Sequence, residues 1–599
     1  MRLIIVCLLI ANFTFAQKSN QQIAYQYYIN GEFEKAITHY EELMSLHFSV
    51  AYYVPYYNSL IKLERYKKAE NLAKKFIRRY PKQLQYQLGV IIAHHKSGKI
   101  KKSEAAFNKL MKSFDGSSSQ TISMANTFVI NELYQKALEV YIFSEKINSK
   151  NNFSIQKAQI YAKIEEVELM LTEYLNEMER NPQKKQFVTS KIQRFLDNDG
   201  IKSDKNYKLV KKLLLRKVKD EKGNSDFSEM LIWLFMQNHQ FKMALIQAKA
   251  LDKRANLNGE GVYNLAESFL DKEYFELAVQ AYDYIIAQGT ESQLFIDANI
   301  NKLFALTRIF SKSKKDMNEL DKEYNQTLKF LGKNRNTVLL FSNYAHFKAF
   351  YLHDLSSAES LLQEAMSISG IDIYDLAECK MEYADVLLLQ GNVWESMLYC
   401  AQIEKDFKEH PLGHEAKLRI AKISYYQGDF QWAQAQLEVL KASTSKLISN
   451  NAMELSLLIT DNYNLDTTEI AMRTFAQADL LYYQQKYNEA ILKYDSILFK
   501  FPGHSLSDEI YMRKAAIYLN NGNIKDALDN YQKIEADWNY DILADDAIYK
   551  QAKIYDDILN NSKLAMKFYE QILLEHNSSI YVAESRQRFR NLRGDNLPE

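Results

Sequence analysis

One interval, repeated along most of the chain, constrains its fold more than any local motif. In NGEFEKAITHYEEL, 30–43, Gly31 and Phe33 precede Ala36, and Tyr40 and Leu43 follow it. RYKKAENLAKKFIRRYP, 65–81, repeats the figure with Tyr66, Ala69, Ala73, Phe76 and Pro81. LYYQQKYNEAILKYDSILFKFPG, 481–503, and NGNIKDALDNYQKI, 521–534, repeat it again around Ala490 and Ala527. Steps of three and four mark one face of a helix, and Gly or Pro after such a face stops it. Matching centres fall at Ser103, Ala137, Ala244, Ala278, Ala358, Ser396 and Ala433, with weaker ones at Met170 and Ala565. The first five centres lie 33, 34, 34 and 33 residues apart; Ala244 and Ala278 are again 34 apart, and Ser396–Ala433 and Ala490–Ala527 are each 37 apart. Such a period implies stacked units, because one helix pair cannot bury its apolar face alone.

The figure resembles the tetratricopeptide repeat, a helix-turn-helix unit of about 34 residues. Ala24, Tyr27, Gly31, Phe33, Ala36 and Tyr40 fit its pattern, as do Ala266, Phe269, Phe275, Ala278 and Tyr282, with Glu273 standing where Gly would be. The resemblance covers about three quarters of the chain and implies an all-α fold: an α-solenoid, a right-handed superhelix of antiparallel helix pairs. Small residues such as Ala36 let the helices approach, and aromatics fill the space between turns. Tyr40, Tyr494 and Tyr531 are therefore read as packing residues and not as ligand-binding rings.

Composition agrees with an ordered helical protein. The 599 residues are 47% hydrophobic and 25% charged, with 17 Gly and 6 Pro. A net charge of +1 gives no electrostatic case for nucleic acid as partner. The segment 201–222 is locally basic, which suits a solvated helix face, an acidic partner or anionic lipid heads.

The start, MRLIIVCLLIANFTFA, has the form of a secretory signal peptide, with cleavage expected after Ala16. No later run reaches 18 apolar residues, so no membrane span is expected in the mature chain. Cys379 and Cys400 remain after cleavage, the first read at the start of a first helix and the second late in the second helix of the same pair, ends that antiparallel packing brings together. A disulfide between them and two buried free thiols are both open readings.

Along the chain, 1–16 is the signal peptide and 17–182 an array of about five units. Phase is lost over 183–229, a degenerate helical joint or a cryptic unit. Two units occupy 230–289, and 290–334 reads as a helical spacer or lateral projection. Units resume over 335–577, and 578–599 is a basic tail. The 37-residue links resemble those of exported tetratricopeptide proteins of Gram-negative bacteria, and the whole chain is similar to large members in the Bacteroidota. That resemblance implies the periplasm.

Residues suited to catalysis do not assemble into a pattern. HExxH, Walker, GxSxG and GxGxxG motifs are absent. His94 and His95 point apart on a helix, and Pro411 makes a helix start of the ground between His410 and His414. Acid pairs such as Glu165-Glu166, Asp545-Asp546 and Asp556-Asp557 read as helix surface, and Arg593-Gly594-Asp595 is too common a tripeptide to imply adhesion. No enzyme activity, cofactor or metal is expected.

The resemblance implies binding along the first helices of the pairs. Carried over by phase, groove-facing positions are Gln21, Gln26 and Tyr28 in the first unit and Tyr511, Arg513 and Lys514 in a late one. The expected function is a non-enzymatic scaffold or adaptor that holds protein partners of the cell envelope, as in outer-membrane assembly or secretion. The alternative is a peptidoglycan- or glycan-binding module coordinating cell-wall processes.

Overall fold

A computed structural model describes residues 20–197, 204–220, 225–310, 314–443, 445–463 and 469–595. The expected signal peptide lies outside these residues. Among the described residues the fold is all-α, with no strand, and consists of helix pairs stacked as α-solenoids. The chain divides into two compact units, Met1–Glu221 and Lys222–Glu599. The boundary falls inside the segment where phase is lost.

In the first unit, helix 20–29 pairs with Phe33–Leu46, Tyr53–Lys62 with Tyr66–Arg79, and Leu84–Lys96 with Ile100–Lys112. Ser118–Ile130 then pairs with Tyr134–Ile147, and Ser154–Lys163 with Val167–Arg180. The repeat centres Ala36, Ala69, Ser103 and Ala137 are all 0% exposed on second helices. At the fifth, Met170 is half-buried and the packing passes to Leu171 and Tyr174. Where Ser103 replaces Ala, its hydroxyl donates to the Ile91 carbonyl at 3.0 Å, so the small position tolerates a polar atom. Gly89 lets first helices approach: a Cβ there would stand 2.2 Å from the Tyr53 hydroxyl.

Helices Lys185–Asp197 and Asp204–Asp220 continue this unit where the sequence loses phase. The basic helix turns its charge onto its neighbour Val167–Arg180. Lys212 and Arg216 reach Glu168 at 3.4 and 3.6 Å, and Lys217 reaches Glu179 at 2.5 Å. Part of that positive charge is thus matched within the protein.

The second unit pairs Asp226–Gln237 with Phe241–Ala255 and Glu260–Asp271 with Phe275–Ile286. The segment expected as a spacer is built into the stack as Phe295–Phe310 and Lys314–Leu331. Its longer polar helix still buries Leu320 and Tyr324, and Tyr324 stacks on Tyr344 at 5.0 Å. Further pairs are Val338–Phe350 with Leu355–Met366, Ile373–Gln390 with Val393–Asp406, and Pro411–Gln427 with Phe430–Leu440. An additional helix, Lys446–Tyr463, precedes Ile470–Tyr483 and Tyr487–Lys500. Ser507–Asn520 with Ile524–Asp537 and Ala544–Lys553 with Ser562–Glu575 follow, and Val582–Arg593 closes the unit. A π-helical turn, Ile554–Ile558, ends the last first helix.

Where the turn inside a pair is described, it uses the left-handed region. Gly391, Gly428 and Gly522 occupy it with φ of 94°, 79° and 79°. Glu273 adopts φ 61° at the step where Gly would be favoured, and Glu165 does the same, which makes that acidic residue a turn element.

The cysteines are a correction to the bridged reading: both are free and buried. Helix Ile373–Gln390 is packed on two sides. Cys379 joins the core layer of Leu340, Phe341 and Leu362, whereas Cys400 joins that of Ala384, Ile403 and Ala416. Cys400 lies four residues after Ser396, the step filled elsewhere by Tyr40, Tyr282 or Tyr494, and is therefore a packing residue. Burial raises both thiols to about 12.

Candidate functional site

At several steps in each unit, first helices of neighbouring pairs meet through polar contacts, which together make a polar wall at those steps. In the first unit, Asn58 Nδ2 donates to the Tyr28 hydroxyl at 3.1 Å, and the Tyr57 hydroxyl donates to the Gly89 carbonyl at 2.6 Å. Tyr28 thus lies on this wall. Gln21 is half-buried beside it, and Gln26 is exposed.

In the second unit the wall carries a repeated ion pair. Arg419 grips Asp385 with two prongs, Nε to Oδ1 at 3.0 Å and Nη2 to Oδ2 at 2.9 Å, and gives Nη1 to Glu415 at 2.6 Å. Arg513 places Nε 3.3 Å from Asp479 Oδ1. Each arginine lies 34 residues beyond its aspartate. Asp385 follows Ala384 and Asp479 follows Ala478, while Arg419 and Arg513 each stand two residues before a buried alanine. The two pairs are therefore the same rung in two places.

Tyrosines complete the acceptors. Tyr425 donates to Asp479 Oδ2 at 2.9 Å, Tyr494 also donates to Asp479, and Tyr483 donates to Asp385 Oδ1 at 3.2 Å. Burial, and then Asp479 beside it, raise Tyr425 well above the usual phenol range, so it stays a donor. The charge of Asp479 raises the Arg513 pKa against the opposing effect of burial. Tyr425 and Asp479 also join helices Pro411–Gln427 and Ile470–Tyr483 directly, past the additional helix between them in sequence.

Of the groups beside the rungs, Lys422 and Tyr426 make no hydrogen bond among the described residues. Lys422, one turn beyond Arg419, has no hydrogen-bond or ion-pair partner within reach among the described residues. Burial, and then the Arg419 charge, pull its pKa below the usual lysine value. Tyr426 and Tyr483, both half-buried, place their rings 6.2 Å apart, and Phe350 stands 6.5 Å from Tyr483. A half-buried lysine and half-buried tyrosines suit polypeptide side chains and carboxylates.

The late positions taken from phase do not share one face. Arg513 lies on the wall. Tyr511 packs on Trp538 at 5.7 Å under Lys533, and Lys514 pairs with Asp495 on a second helix at 2.5 Å. On a helix of 3.6 residues per turn, positions 511 and 514 fall on one side and 513 on another. The rungs at Asp385 and Asp479 escape the repeat pattern because it is written in packing residues. The interval from Asp385 to Arg419, equal to that from Asp479 to Arg513, is the signal that was there to be found.

Other chemistry-bearing residues are occupied structurally. His94 Nε2 meets Glu70 at 3.2 Å; His410 Nδ1 accepts from the Leu412 amide at 3.2 Å, and His414 Nδ1 lies 3.0 Å from Ser443. Asp546 accepts from the Tyr581 hydroxyl at 2.6 Å, and Asp556 and Asp557 hold Arg588 at 3.1 and 2.9 Å. These acid pairs are partnered and not merely solvated. Among the described residues no group of three His, Cys, Asp or Glu side chains could hold a metal ion, and no helix is long and apolar enough to cross a membrane.

Comparison with known proteins places this geometry. Residues 475–542, which span the Asp479–Arg513 rung, match the tetratricopeptide repeat family. No curated protein matches the chain in sequence. Similar solved structures include a tetratricopeptide repeat protein from Parabacteroides merdae ATCC 43184, at 14% identity over 47% of this chain and 93% of that one, with a TM-score of 0.26. The Cut9–Hcn1 hetero-tetramer of the APC/C aligns at 11% identity over 90% and 98%, with a TM-score of 0.27. Yeast Tom70 aligns at 15% identity over 93% and 99%, with a TM-score of 0.26. The chain is thus an all-α solenoid of helix pairs with a tetratricopeptide-like architecture, in which residues 475–542 match the tetratricopeptide repeat family.

Proposed function

We propose that this protein is a non-enzymatic scaffold that holds partner proteins of the cell envelope along its first-helix walls after export to the periplasm. The observation that carries the reading is the wall of the second unit. Its rungs fix the first helices in register, while Lys422 and the half-buried Tyr426 are left for a partner. A rigid frame with uncommitted cationic and aromatic groups limits the ordering cost of binding. The signal-peptide form of residues 1–16 and the resemblance to exported repeat proteins support the compartment.

The test is crosslinking and affinity capture from native cell envelopes, run on the wild-type protein and on Lys422→Glu. The expected result is a stoichiometric envelope protein captured by the wild type and reduced at least tenfold by the variant. Capture of the protein alone, with retention on peptidoglycan fragments, overturns this reading in favour of a wall-binding module.

A further inference from the structure

Away from the rungs, three polar side chains of the second unit gather where the additional helix meets a later pair. Asn462 lies at the end of helix Lys446–Tyr463, and Asp508 and Glu509 open helix Ser507–Asn520. Asn462 is 1% exposed and Asp508 2%. The Asn462 amide donates to the Leu458 carbonyl at 3.0 Å and to Glu509 Oε1 at 3.2 Å. Asn462 Oδ1, Asp508 Oδ1 and Glu509 Oε2 are then buried without any hydrogen-bond partner.

Acidic residues in the first turn of a helix are ordinary when they face water. Here the carboxylates are buried together. Neither carboxylate has an ion-pair partner among the described residues, and Arg513, one turn further on, is committed to Asp479. Buried charge without compensation is costly, as is each unmet buried oxygen.

Two occupants would relieve the cluster. One proton shared between the carboxyls would satisfy the acid pair. It would leave Asn462 Oδ1 orphaned, because no donor reaches that oxygen. A cation would satisfy all three oxygens at once. Two carboxylates and a carboxamide are hard ligands with no nitrogen or sulfur among them, the set that suits Ca²⁺ better than zinc. We propose that Asn462, Asp508 and Glu509 form a binding site for a divalent cation of the Ca²⁺ class, with water completing its coordination. The ion ties the additional helix to the first helix of the pair that begins at Ser507.

The repeat supplies an internal control. Asp545 and Asp546 open the next first helix as Asp508 and Glu509 open this one, but Asp546 is met by the Tyr581 hydroxyl. That pair has no orphaned oxygen and should hold no ion.

The experiment is calorimetric titration of the chelator-stripped full chain with CaCl₂, repeated on Glu509→Gln, Asp508→Asn and Asp546→Asn. One saturable site is expected, weakened at least tenfold by Glu509→Gln and Asp508→Asn and unchanged by Asp546→Asn. Absence of saturable heat in the wild type overturns the proposal in favour of a shared proton. Heat that survives Glu509→Gln and Asp508→Asn overturns it in favour of surface binding. Should these variants fold poorly, wild-type crystals grown in CaCl₂ decide: density about 2.3–2.6 Å from the three oxygens supports the site, and its absence refutes it.

Discussion

Asp479 and Arg513 meet across 34 residues on neighbouring first helices, and Asp479 is also the shared acceptor of Tyr425 and Tyr494. One 7%-exposed carboxylate thus closes the contact of three helices with a fourth. Replacing Asp479 with Ala leaves a guanidinium and two buried hydroxyls without an acceptor. The expected loss is about 3–5 kcal/mol in the transition that reports this region, followed by chemical denaturation. The double variant Asp479→Leu/Arg513→Met should be less destabilised than Asp479→Ala alone, because no charge is left unpaired.

Glu70 sets an acid limit on the first unit. Its carboxyl is held at about 2, chiefly by the Lys74 hydrogen bond, against burial and with help from His94. A pKa lower in the folded than in the unfolded state stabilises above the unfolded value and is lost as pH falls through the folded one. Between pH about 4.5 and 2 the first unit should therefore lose roughly 2 kcal/mol through this group. Glu70→Gln should remove that part of the acid dependence, read by circular dichroism against pH.

Glu273 adopts φ 61° in a turn where the repeat favours glycine. Relief of the left-handed penalty outweighs the added backbone entropy of the unfolded chain. Glu273→Gly should stabilise the second unit by about 0.5–1 kcal/mol. A fall in melting temperature would show that the Glu273 side chain contributes a contact worth more than the strain.

Gly89 behaves in the opposite way to most helical glycines. Replacement by alanine ordinarily stabilises a helix by about 1 kcal/mol. At this position the new methyl group would meet the Tyr53 hydroxyl at 2.2 Å and the Tyr57 ring at 3.2 Å. Gly89→Ala should destabilise by about 1–3 kcal/mol, and the Gly89→Ala/Tyr53→Phe pair should recover part of the loss.

The free, buried state of Cys379 and Cys400 is accessible to mass spectrometry. Both thiols should resist iodoacetamide in the folded protein, since burial keeps them protonated, and both should gain a carbamidomethyl group in denaturant without reductant. A single disulfide-linked peptide in the digest would contradict this arrangement.

The helix pairs were legible because their packing residues repeat: Ala36, Ala137, Ala278 and Ala527 lie where the period places them, each 0% exposed. The pair at 295–331 was hidden by its length and its polar outer face, although Leu320 and Tyr324 supply its buried side. The helix Lys446–Tyr463 left its trace as an overlong interval from Ala433 to Ala490, wide enough for one more helix. Of the positions taken from phase, Tyr28 and Arg513 lie at contacts between first helices. Tyr511 and Lys514 show the limit of that reasoning. A position's step along the repeat fixes which side chains pack, whereas neighbours from other helices, such as Trp538 and Asp495, decide which of the rest remain free.

The core of each unit is divided into layers: Cys379 and Cys400, on consecutive helices, already belong to different ones. A polypeptide organised this way has no single event at which all of its apolar contacts fail. Under tension it would yield layer by layer, each release lengthening the chain while the layers beyond stay intact. The sequence of force drops in a pulling experiment would then read out the order of the layers, and relaxation would let them re-form from whichever ones survived.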